Sequence, residues 1–121
     1  MDNSNIDLDE VAASIEEKRL RWVSEGLDPE PLTWTDNDEG WPFTRTLRAD
    51  VRRPRSLALR VYRSDHKAGM ELVVYAGGWA DITLVPPDST EPPIATYVEL
   101  VAPADLDAPL DQAISDLSPP L

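Results

Sequence analysis

Met70-Glu71-Leu72-Val73-Val74-Tyr75-Ala76-Gly77-Gly78-Trp79-Ala80-Asp81-Ile82-Thr83-Leu84-Val85 decides the fold. Met70 to Ala76 is a strongly apolar run, rich in β-branched and aromatic residues, as strands are. Trp79 to Val85 alternates, with Ala80, Ile82 and Leu84 on one side. Gly77-Gly78 between them fits a two-residue hairpin turn, because both central positions of such a turn take positive φ. A hairpin at the centre implies an antiparallel sheet, and further strand patterns flank it. Leu57, Leu59 and Val61 alternate with Arg60 and Arg63 upstream, and Ile94 to Val101 reads as a last strand. Phe43, Leu47, Ala49 and Val51 alternate with Thr44, Thr46, Arg48, Asp50 and Arg52, which predicts another half-buried strand. Pro31 to Asp36 is a short first strand.

Helical periodicity appears only at the two ends. Leu8, Val11, Ala12, Ile15 and Trp22 form one stripe at helical spacing, predicting a helix from Asp7 to Ser24. Leu20 and Val23 are expected to widen that stripe. Asp7 is the expected N-cap, with Glu10 closing a capping box. Lys18, Arg19 and Arg21 crowd the last turns, where cations suit the helix dipole. Gly26 and Pro29 stop the helix. At the other end Leu106, Leu110, Ala113, Ile114 and Leu117 share a face. Asp107 is the expected N-cap there, and Pro109 sits in the first turn. The expected fold is α+β: five or six antiparallel strands between an N-terminal and a short C-terminal helix, with helix covering one sheet face and the other partly open. The 121 residues suit a single domain, with residues 1–6 and 118–121 as flexible ends.

The charge is sorted along the chain. Residues 1–42 carry twelve acids and three bases, residues 43–69 two acids and eight bases, and residues 70–121 nine acids and no base. The net charge is −12. Such a surface repels nucleic acid and anionic membrane and attracts basic protein. The arginines of the middle block, Arg45 to Arg63, form a stripe expected to pair with acids of the terminal helices and neighbouring strands. No apolar run is long enough to span a membrane, and the acidic start has no secretory h-region, so the expected location is cytoplasmic.

The residue types for catalysis do not assemble. There is no cysteine, which removes disulfides, thiolate nucleophiles and zinc–thiolate sites. His66 is the only histidine and lies in an expected hairpin loop. Asp36-Asn37-Asp38-Glu39-Gly40 opens like a calcium loop, but the glycine comes one position early, and Leu47 stands where a bidentate Glu belongs. No metal, cofactor or catalytic residue is therefore expected. Partner binding is the alternative, and its candidate residues are Asp36, Asp38, Glu39, Trp41, Trp79 and Asp81. Trp41, beside those loop carboxylates, either combines an anchoring ring with electrostatic steering or folds back as a plug on the sheet. Trp41→Ala is expected to weaken partner binding by ~2 kcal/mol or more without unfolding the domain.

The segment from Arg53 to Leu117 resembles a known family. Pro54-Arg55-Ser56-Leu57-Ala58-Leu59-Arg60-Val61-Tyr62-Arg63, the strand Met70-Glu71-Leu72-Val73-Val74-Tyr75, and Tyr97-Val98-Glu99-Leu100 running into Pro103-Ala104-Asp105-Leu106-Asp107 and Leu110 look like the small actinobacterial immunity proteins of the TriTu type, which accompany polymorphic toxins. The chain departs from their pattern at the Ser64–Ala68, Pro86–Pro93 and Asp36–Trp41 loops. The resemblance implies a cytoplasmic antitoxin that binds a cognate toxin domain and blocks its active site. A homodimeric adaptor or secretion chaperone is the competing expectation, and an enzyme built on scattered carboxylates is a third.

Overall fold

Helix α1 runs from Leu8 to Ser24, and its start is set by Asp7, whose carboxylate accepts the backbone N–H groups of Asp9 and Glu10. The computed structural model describes residues 6–40, 44–63, 65, 68–86 and 92–117. Leu8, Val11, Ile15 and Trp22 make the buried stripe of α1. Leu20 and Val23 do not widen it, being 83% and 54% exposed. At about 100° per residue Leu20 lies roughly 140° round the helix from Ile15, and Val23 roughly 80°. The Trp22 indole already fills the core side of that last turn.

The strands are β1 (Leu27–Pro29), β2 (Thr33–Asp36), β3 (Pro54–Arg63), β4 (Gly69–Tyr75), β5 (Trp79–Val85) and β6 (Ile94–Glu99). They form one antiparallel sheet in the order β1-β3-β4-β5-β6, with β2 also pairing β3. Strands β1 and β2 share one side of β3: Pro29 pairs Val61, and Thr33 pairs Ala58. Helix α2 (Asp107–Leu117) follows a short 3-10 turn at Pro103–Leu106. The fold is α+β.

Register lines up the core. Leu57 pairs Val74, which pairs Ala80; Leu59 pairs Leu72, which pairs Ile82; Val61 pairs Met70. All eight are buried, in one cluster with the α1 stripe and with Leu106, Leu110, Ala113, Ile114 and Leu117. Each large side chain buried in this way contributes about 1.5–3 kcal/mol. The two helices therefore cover one sheet face. They also meet each other, since the Lys18 ammonium lies 3.3 Å from Asp107 and 4.0 Å from Asp111. The late cations of α1 thus face the acids of α2 as well as their own helix end.

Three further expectations need correction. Asp107 is not an N-cap: it is already helical, with φ −57° and ψ −51°, because the 3-10 turn at Pro103–Leu106 runs straight into α2. The described part of the expected Phe43–Arg52 strand, from Thr44 to Arg52, is not a strand. Thr46 makes a single bridge to Trp34, and Arg48–Asp50 is a 3-10 turn with no buried residue. Leu47 is exposed, so the apparent alternation does not mark a buried face. The hairpin turn is also one residue longer than expected. Tyr75 pairs Trp79, leaving Ala76, Gly77 and Gly78 in the loop. Gly78 has φ 102°, while Gly77 is not among the positive-φ glycines. That matches the three-residue hairpin with one left-handed position.

Candidate functional site

The sheet face turned away from the helices carries the residues of opposite parity. Its rows across the strands are Thr35, Ser56, Tyr75, Trp79 and Glu99; then Thr33, Ala58, Val73, Asp81 and Tyr97; then Arg60, Glu71, Thr83 and Ala95. No helix among the described elements lies over the β5–β6 part of this face, where Trp79, Asp81, Tyr97 and Glu99 are all exposed.

Backbone bonding fixes how these four meet. Leu100 donates its N–H to the Gly78 carbonyl at 2.8 Å, which makes Gly78–Leu100 a hydrogen-bonded position. Along an unbroken antiparallel register such positions alternate, so Ala80–Val98 and Ile82–Thr96 are hydrogen-bonded pairs. Trp79–Glu99 and Asp81–Tyr97 are then non-hydrogen-bonded pairs, the type in which facing side chains come closest, with Cβ atoms roughly 4.5–5.5 Å apart. The outcome is a two-by-two block in which rings and carboxylates alternate. Trp79 is held in place on its far side. Its ring stacks on Tyr75 with centroids 4.9 Å apart and planes at 17°. It also lies against Gly77, where an added Cβ would overlap the indole. The Arg55 guanidinium sits 5.6 Å above the Tyr75 ring.

What sets this block apart is unpaired acid beside exposed ring, since Glu10, Glu17, Glu25 and Glu30 are exposed and outside the ion pairs too. Lys18, Arg19, Arg21, Arg45, Arg48, Arg53, Arg60 and Arg63 each lie within 4.0 Å of a carboxylate. Five arginines of the stripe, Arg45, Arg48, Arg53, Arg60 and Arg63, are thus paired: Arg48 reaches Asp9 on α1, and Arg60 and Arg45 converge on Glu71, while Arg52 is in none of the ion pairs among the described residues. Asp81 and Glu99 have no ion pair or hydrogen bond among the described residues. Two exposed carboxylates without a cation sit beside two exposed rings, a combination suited to a lysine or arginine from another molecule.

The acidic loop is built differently. Asp36 is buried. Its carboxylate accepts the backbone N–H of Arg52 at 2.9 Å, of Asp38 at 3.0 Å and of Arg53 at 3.2 Å. Those bonds, led by the one from Arg52, hold its pKa below the ordinary aspartate range. Asp36 is a latch between the loop and the start of β3. Asp38 faces Arg53 at 3.5 Å, and Glu39 accepts the backbone N–H of Thr44 at 3.0 Å. Trp41 lies outside the described residues, as do Pro42, Phe43, His66 and Lys67. The loop and the Trp79–Asp81 pair are at the same end of the sheet. Three strand spacings, roughly 14 Å, separate β2 from β5. Sequence reasoning selected Trp79 and Asp81 but missed Tyr97 and Glu99. The available signal was their parity, opposite to that of Val98 in the same strand.

A pocket of about 350 Å³ opens beside the block, lined by Arg60, Tyr62, Ala68, Gly69, Met70, Glu71, Thr83 and Val85. Glu71 is its one acid. Burial would raise the pKa of Glu71, but hydrogen bonds from Arg60 at 2.8 Å and Arg45 at 3.3 Å outweigh it and leave the value lowered. A carboxylate held ionised in this way anchors arginines and is a poor proton donor. Among the described residues no group of three or more His, Cys, Asp or Glu side chains is placed to hold a metal ion. Nor is any helix there long and apolar enough to cross a membrane. No family model, curated protein or solved structure matches the chain.

Proposed function

We propose that this protein works by binding a cationic protein, and that in its specific form it is an immunity protein holding the catalytic domain of a bacterial toxin. The observation that carries the reading is the exposed block of Trp79, Asp81, Tyr97 and Glu99, whose carboxylates lack a cation of their own. Aromatic rings beside unpaired acids supply contact area and steering together. The net charge of −12 extends the same field beyond contact range. The resemblance of Arg53–Leu117 to immunity proteins of the TriTu type points to a toxin as the partner. Toxin domains that act on nucleic acids or nucleotides need positive clefts, which an acidic inhibitor reaches at a raised rate. Under this reading the protein acts in the cytoplasm, needs no cofactor, and performs no reaction itself.

The test is calorimetric titration, with stopped-flow measurement of association, of the purified chain against the catalytic domain of a secreted toxin encoded beside it. A one-to-one complex is expected, with association slowing as salt is raised. Asp81→Asn combined with Glu99→Gln should slow association about tenfold at low salt. Absence of binding, or an affinity untouched by the double change, overturns the reading.

A further inference from the structure

The sixth strand has a partner on one side only. In the sheet order β6 is terminal and pairs β5, and no described element pairs its outer side. The register fixes which backbone groups are left over. Residues in non-hydrogen-bonded pairs with β5 direct their N–H and C=O groups outward, and these are Ala95, Tyr97 and Glu99. Natural sheet edges are usually blunted by lysine, by proline within the strand, by a bulge or by a covering element. Ile94-Ala95-Thr96-Tyr97-Val98-Glu99 contains neither lysine nor proline, and its register with β5 is unbroken. Ile94 and Tyr97 are 57% and 61% exposed.

We infer that the outer edge of β6 receives an extended, basic segment of the partner protein, which adds to the sheet as a further strand. The inference rests on the cationic-partner reading and states how that partner is held. An incoming strand would bond the outward groups of Ala95, Tyr97 and Glu99, and its residues opposite Tyr97 and Glu99 would lie on the open face. A lysine or arginine there meets Glu99 directly and crosses the Tyr97 ring toward Asp81. Residues of the other parity would extend the row of Ile94 and Val98 and are best apolar. The fitting segment therefore alternates basic and apolar side chains. A second copy of this chain fits poorly. It brings a further charge of −12, and its own β6 would set Glu99 against a surface already rich in acid.

The experiment uses the full chain, isotopically labelled, with a short peptide of alternating lysine and valine as the probe. A second peptide carries N-methyl groups at alternate backbone positions and keeps the same charge. Binding of the first peptide, slowed amide exchange at Ala95, Tyr97 and Glu99, and a dissociation constant weakened about tenfold or more by N-methylation support strand addition. Ala95→Pro removes one outward donor without altering the rings or acids, and should weaken the unmethylated peptide while sparing the pairing with β5. Equal binding of both peptides overturns strand addition and leaves a purely electrostatic contact. Binding of neither also overturns it, and the toxin titration then judges the cationic-partner reading separately. Slowed exchange at the same three amides without peptide, with a dimer in sedimentation equilibrium, overturns it in favour of a second copy.

Discussion

Trp79 and Glu99 stand directly opposite each other across β5 and β6, an exposed indole against a carboxylate that no described cation neutralises. Asp81 and Tyr97 repeat the arrangement one step along, with ring and acid exchanged between the strands. A cation arriving at this spot meets ring faces and two negative groups at once. A charge on either strand alone would be a rim contact of little energy. In the proposed reading, the paired arrangement would select a cationic side chain with an extended stem.

Trp79→Ala should therefore weaken partner binding by about 2 kcal/mol or more, as truncation of an anchoring ring does. The indole is 37% exposed, so the fold should lose less than the binding does. Titration with the partner and thermal melting of the free chain measure the two effects separately. A melting midpoint that falls far while affinity holds would place Trp79 in the core.

Gly77→Ala approaches the same ring from behind. The added methyl overlaps the Trp79 indole, and Gly77 is not among the glycines held at positive φ, so the strain should fall on the ring and not on the backbone. The expected result is a changed near-ultraviolet circular dichroism spectrum as the Tyr75–Trp79 stack shifts, with stability lowered by about 1 kcal/mol, the low end for an added methyl because the indole is partly exposed. Partner affinity should fall with the spectral change. An unaltered spectrum would mean that the ring has room to move aside.

Most of the architecture was legible because its pattern comes from burial. The α1 stripe, the alternation of β3 and β5 and the Leu106–Leu117 face each follow one period over several turns or pleats, and register then locks them together. The stretch before β3 misled because its backbone donors are met by a side chain. The N–H groups of Arg52 and Arg53 go to the Asp36 carboxylate instead of to a neighbouring strand, which periodicity cannot reveal. Strand β1 carries no sequence signal beyond the helix stop at Gly26 and Pro29, since three residues are too few to show a period. At the candidate site the ring and acid of β5 were visible in the sequence. Their counterparts on β6 emerged only once the register paired Trp79 with Glu99 and Asp81 with Tyr97.

Asp36→Asn tests the latch through pH. The backbone donors of Arg52, Asp38 and Arg53 favour the ionised carboxylate, so the folded pKa is lower than the unfolded one. Stability from such a group is present above the unfolded value, about pH 3.9, and is lost as pH falls through the folded value. Below about pH 4 the wild-type chain should lose stability more steeply than Asp36→Asn. At neutral pH the variant should be the less stable of the two, because an amide replaces an ionised acceptor. Urea midpoints followed from pH 7 down to about pH 2.5 check both statements. Parallel curves for the two chains would remove Asp36 from that role.

Arg48 and Asp9 provide the last test, because they join the first turn of α1 to the 3-10 turn before β3. Arg48 Nε lies 2.8 Å from one oxygen of Asp9, and its terminal nitrogen lies 3.0 Å from the other. The Arg48 guanidinium also bonds the Val51 carbonyl at 2.8 Å and lies 5.3 Å above the Trp34 ring. Two-point geometry strengthens an ion pair, but both side chains remain well exposed, which weakens it. A double-mutant cycle on Asp9→Ala and Arg48→Ala should thus give a coupling near the upper end of the exposed range, about 1 kcal/mol. Arg48→Ala alone should cost more than Asp9→Ala, since it also releases the Val51 carbonyl and uncovers Trp34. Equal single costs, or a coupling near zero, would show that the 3-10 turn is held by the Asp36 latch without help from Arg48.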